Sequence, residues 1–168
     1  MTAAKIEPEV TDPLQAERVS HAVYGLIIVT ATLVAEMDHV DEALHALGLV
    51  LGTGLVLLLA HTYSALAAER IVQARRLSVA GRKMVVWSNL PVLLAIIVPA
   101  LLFSLAWFEF VSLQTAYITS IGFSLLALFG LGVYIGRIAS MNWALSLLAG
   151  ATSGAIGVLV VLVEALFD

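Results

Sequence analysis

Apolar residues fall along this chain in long, nearly unbroken fields separated by short polar breaks. The fields cover roughly 19–36, 43–67, 85–108, 113–136 and 141–166, and each reaches the length of about 20 residues that a helix needs to cross the hydrocarbon of a bilayer. The pattern predicts an all-α, polytopic membrane protein with five transmembrane helices. Ahead of the first field, "KIEPEVTDPLQAER" is acidic and interrupted by prolines, and Asp12 followed by Pro13 reads as a helix N-cap and first helical residue. Residues 1–17 are expected to be a disordered cytoplasmic tail and 18–168 a single transmembrane domain. The N-terminus lacks the basic start, short apolar run and small-residue cleavage site of a signal peptide, so the first field is expected to stay in the protein.

Composition supports the pattern. The 168 residues are 61% hydrophobic and 12% charged, with a mean hydropathy of +1.05, too apolar for a chain that must cover itself with polar surface. There is no cysteine, which excludes disulfides and thiolate metal sites. The net charge of −4 says less than the placement of the charges. With the N-terminus inside, Lys5, Arg18, Arg70, Arg75, Arg76, Arg82, Lys83 and Arg137 all fall on the cytoplasmic side, and the outer side holds Glu36, Asp38, Asp41, Glu42, Glu109, Glu164 and Asp168. The positive-inside bias therefore predicts an N-in/C-out topology. The basic connection "RIVQARRLSVAGRK", residues 70–83, is expected to anchor that topology and to meet anionic lipid headgroups.

Small residues at four-residue spacing mark close helix contacts in a bilayer. Gly48 and Gly52, Gly132 and Gly136, and Gly150 and Gly154 have that spacing, and the last field carries a small, mildly polar stripe of Asn142, Ser146, Ala149, Ser153, Gly157 and Glu164. These features predict tight packing within the chain or in a homo-oligomer. In the loop "EMDHVDEALH", Asp41, Glu42 and His45 include the Glu-x-x-His step of carboxylate-bridged dimetal bundles. They are weak candidates for a metal, since a dimetal site needs partner carboxylates at the same depth and the remaining spans offer only Glu109 and Glu164 near the outer boundary. No cofactor is expected, and nothing points to nucleic acid.

Polar residues inside the fields carry the functional signal. In "LVLLLAHTYSALAAER", His61 lies roughly 10 Å inside the inner boundary of its helix. Ser20, His21 and Tyr24 on the first helix and Asn89 on the third share that layer. Ionisable groups at such depth are rare and mark ion paths or helix-locking contacts. His61 is thus expected to meet Ser20, His21 and Asn89, either as a satisfied core histidine or as part of a pathway.

These same segments resemble the endolysosomal and prokaryotic potassium channels marked by a Phe-Ser-Asp motif. The first helix, "ERVSHAVYGLIIVTATLVAE", has an apolar run closing on an acidic residue. The second ends with a histidine and a basic stretch, and "VVWSNLPVLLAIIVPALL" opens the third with Trp87 and Asn89 and later carries Pro99. Val19 stands in place of the motif phenylalanine and His21 in place of its aspartate, and five spans replace six. The resemblance implies that Ser20, His21, His61 and Asn89 form a polar network holding pore helices. It also implies that the first helix lines a pore constricted at Leu26 and Leu33. The expected function is an oligomeric cation channel or permeation protein for potassium or protons, in a cell membrane of the bacterial inner-membrane kind, with lipid and further copies of itself as partners. The alternative is a non-transporting accessory or scaffold protein. An enzyme is not expected, since no nucleophile-and-base cluster or phosphate-cradling glycine loop is present.

The cysteine-free chain makes the topology directly measurable. Single substitutions Gly81→Cys, Asp41→Cys and Asp168→Cys, labelled with a membrane-impermeant maleimide in intact cells, are expected to react only at positions 41 and 168. Labelling of position 168 from the cytoplasm alone would refute the five-span order.

Overall fold

The computed structural model describes residues 13–73, 86–87 and 89–167, and among these every regular element is helical. The elements are α1 (Pro13–Glu36), α2 (Ala43–Gln73), a short 3₁₀ turn η1 (Leu90–Leu93), α3 (Leu94–Trp107), α4 (Leu113–Ile138) and α5 (Trp143–Phe167). Four segments are long and apolar enough to cross a membrane, namely Gln15–Glu36, Ala43–Ala68, Leu113–Ile138 and Trp143–Leu166. The third expected span is the exception, since α3 has only 14 residues. Residues 86–87 and 89 are already α-helical, but Pro91 lacks the N–H that an α-helical turn needs, so the chain passes through η1 before α3, and Pro99 withholds a second N–H inside α3. Of the tail expected to be disordered over 1–17, residues 13–17 form the start of α1, while residues 1–12 and, of the basic connection 70–83, residues 74–83 lie outside the described residues.

Helix α1 is the central element and packs on each of the others. Its buried positions, Ala22, Gly25, Leu26, Val29, Thr30, Leu33 and Val34, recur at three- and four-residue steps and make one continuous face. On one side α1 meets α2, η1 and α3, and on the other α4 and α5. Side-chain contacts fix the helix directions. Gln15 donates its amide to the Tyr134 hydroxyl at 2.6 Å, which joins the start of α1 to the end of α4. His21 meets His61, which joins the start of α1 to the later half of α2. Gly25 lies against Val92 and Ala95 and Phe103 against Tyr117 at the start of α4, whose end lies at the start of α1, so η1 and α3 run parallel to α1.

The termini are closed by identifiable caps. Ser112 accepts from the Thr115 N–H at 3.1 Å, and Asn142 Oδ1 accepts from the Leu145 N–H at 2.9 Å, both in N-cap positions. Helices α3 and α4 end in left-handed residues, Glu109 (φ 64°) and Ser140 (φ 58°). In each turn the following N–H reaches back to the third residue from the helix end: Phe110 to Leu105 and Met141 to Gly136, each at 3.0 Å. Arg137 adds a hydrogen bond to the Met141 carbonyl at 3.0 Å and stacks over Trp143 at 4.6 Å.

The three glycine pairs divide by use. A Cβ on Gly132 would fall 2.6 Å from the Ala149 carbonyl, one on Gly136 2.8 Å from the Ser146 Cα, and one on Gly150 2.9 Å from the Phe129 carbonyl. Gly154 has only ordinary contact with Phe129, and Gly48 and Gly52 face open space. The small face of α5 is therefore spent on α4 within the chain. Large apolar side chains such as Leu55, Leu59, Leu126, Leu162 and Leu166 cover the outside, a surface far too apolar for water. Gly132→Leu or Gly150→Leu is expected to lower stability by about 3 kcal/mol or more through overpacking, and Gly48→Leu or Gly52→Leu to leave it unchanged, as read by thermal unfolding in mild detergent.

Candidate functional site

The sequence places His21 and Tyr24 three residues apart on α1, so both project from one face, and that face meets α2 at His61. The ring centres of His21 and His61 are 4.8 Å apart at 76°, and those of Tyr24 and His61 are 5.0 Å apart at 60°. His61 and His21 are half-buried and Tyr24 is 47% exposed. His61 Nδ1 donates to the Leu57 carbonyl one turn back at 3.0 Å. A carbonyl only accepts, so this bond assigns the proton to Nδ1 and leaves Nε2 of the neutral ring with its lone pair. His21 Nδ1 is buried with no hydrogen-bond partner.

The other expected members are distributed around this cluster. Asn89 is fully buried where the chain enters η1, which packs on both α1 and α2. Ser20 is exposed and lines an apolar groove of about 630 Å³ between α1 and the end of α4, with Gln15, Val19, Tyr24, Ile135 and Ile138 along it. The helical turn from Ser20 to His21 carries the serine away from α2 and towards that groove, so Tyr24 takes the place next to His61 that was expected for Ser20. Leu26 and Leu33 are 5% and 2% exposed and belong to the core of the single chain.

At the opposite end of the fold, Asp41, Glu42 and His45 are exposed. The α-helix starts at Ala43, and Glu42 precedes it, offering its backbone carbonyl to Ala46. The Glu-x-x-His step therefore straddles a helix start and does not project two ligands from one helical face. Among the described residues no group of three His, Cys, Asp or Glu side chains is placed to hold a metal.

One polar feature was overlooked in the sequence. Thr30 on α1 and Ser120, Ser124 and Tyr117 on α4 are all essentially inaccessible. Thr30 donates to the Leu26 carbonyl at 2.7 Å and Ser124 to the Ser120 carbonyl at 3.0 Å, whereas Tyr117 Oη and Ser120 Oγ have no partner. The signal was the spacing of Tyr117, Ser120, Ser124 and Leu128, which marks one buried face of α4.

No family model, curated protein or solved structure matches this chain. Its functional reading rests on the geometry.

The cluster predicts unequal costs. His61→Ala, which removes the Leu57 hydrogen bond and both ring contacts, is expected to lower stability by about 1–3 kcal/mol. Ser20→Ala is expected to change it by less than about 0.5 kcal/mol. Thermal unfolding of both variants in one detergent compares them directly.

Proposed function

We propose that this chain is a five-span membrane protein, N-terminus inside and C-terminus outside, that works as a small homo-oligomeric assembly passing cations, potassium or protons, across a cell membrane. Four helices of spanning length support the membrane reading. The fifth span is supported by η1 and α3, which run parallel to α1 and together extend about 29 Å at about 2.0 and 1.5 Å per residue, close to the roughly 30 Å of hydrocarbon. The cytoplasmic placement of the α4–α5 turn is supported by Arg137 stacked on Trp143, a pairing suited to a membrane interface.

The observation that carries the cation reading is the contact of His21 with His61 inside the apolar layer of two spanning helices. Ionisable groups there commonly mark ion paths.

The second reading, an accessory protein that transports nothing, is favoured by a different observation. The tight glycines of α4 and α5 are satisfied within one chain, so a single copy is already well packed. Reconstituted liposomes separate the two. Cation passage predicts potassium or proton flux that falls about tenfold or more in His61→Ala, measured beside a folded control such as Ser20→Ala. A wild-type protein that is folded and inserted but gives no flux assigns the chain to the accessory reading.

A further inference from the structure

Two imidazoles in contact, one of them oriented by a backbone carbonyl, have the makings of a metal site. We propose that His21 and His61, with Tyr24 beside them, bind one divalent transition-metal cation of the zinc and copper class. This goes beyond the cation-passage reading, whose ions are potassium or protons, and shares with it only the residues His21 and His61.

Three observations converge. First, two imidazoles sharing one cation through bonds of about 2.1 Å place their ring centres about 5 Å apart, and these centres stand 4.8 Å apart in edge-on contact at 76°, so that binding requires the rings to turn and leaves the helix spacing as it is. Second, the bond from His61 Nδ1 to the Leu57 carbonyl is the arrangement by which ligating histidines are held, one nitrogen donating to a carbonyl while the other faces the metal. Third, His21 Nδ1 is buried and unpartnered, an unfavourable state for a polar atom that coordination of its lone pair removes. Tyr24, in ring contact with His61 and open to the groove, is the oxygen donor at hand and the point of entry.

The donor set selects the cation. Potassium, magnesium and calcium take oxygen ligands, whereas imidazole nitrogen suits zinc, copper and nickel. Among the described residues no third His, Cys, Asp or Glu joins the pair. The site therefore keeps positions open to water, as exchangeable and catalytic sites do and closed structural ones do not.

The test titrates Cu²⁺ into the full chain in lipid nanodiscs and reads electron paramagnetic resonance. One Cu²⁺ per chain is expected, with hyperfine structure from two nitrogens. His21→Gln and His61→Gln are each expected to weaken binding about tenfold or more and to remove one nitrogen. Tyr24→Phe should weaken binding while keeping both nitrogens, and the double variant His39→Gln/His45→Gln should bind as the wild type does. Thermal unfolding checks that each variant is folded. Should His61→Gln fail to fold, His21→Gln and Tyr24→Phe decide the matter.

No Cu²⁺ bound, or binding unaffected by the His21 and His61 substitutions, overturns the site. Flux that depends on His61 without Cu²⁺ binding overturns the metal class and leaves cation passage standing. Binding as expected with no flux in the wild type upholds the site and removes cation passage.

Discussion

Close approach of helix backbones is the constraint on which this fold depends. In a medium as apolar as the side chains themselves, burying leucine gains little, and helices associate through tight packing and internally satisfied polar groups. Gly132, Gly136 and Gly150 are where the α4 and α5 backbones come together, and Gly25 admits Val92 and Ala95 to the face of α1. Gly132, Gly136 and Gly150 leave no room for a side chain, and Gly25 leaves little. Many large apolar residues lie instead on the outside, where a soluble protein would place charges.

The same constraint explains how polar atoms are accommodated. Hydroxyls on helices bond back to their own chain one turn earlier, as Thr30 does to Leu26, Thr32 to Ile28 and Ser104 to Ala100. Where backbone bonds are lost at Pro91 and Pro99, the helix shortens and tightens into η1, and the segment still runs beside α1 because Val92, Ala95, Ile96 and Phe103 are buried in the core. Packing thus keeps the element whose local sequence weakens it.

The histidine cluster is the place where this economy is incomplete. His61 satisfies one nitrogen on Leu57, and His21 leaves one buried nitrogen unbonded. The two imidazoles in contact give the layer between α1 and α2 a chemistry that its apolar neighbours lack. The buried hydroxyl face of α4 presents a similar excess at the other end, where Tyr117 packs edge-on against Phe103 at 4.7 Å and keeps its own hydroxyl unpartnered.

By itself the sequence determined the helical class and four of the spanning lengths, because apolar run length and helix caps are local properties: α1 starts at Pro13, and Ser112 and Asn142 cap where their side chains allow. It also brought out His21, Tyr24 and His61 as polar residues at matching depth, since rise per residue converts position into height. Only the tertiary structure decided which way each residue faces. The rotation of α1 sends Ser20 to the groove and His21 to α2, buries Leu26 and Leu33 in the chain's own core, and leaves Gly48 and Gly52 open while their counterparts on α4 and α5 are filled. Depth follows from counting along one helix. Facing follows from the shape and position of its neighbours, which no single segment encodes.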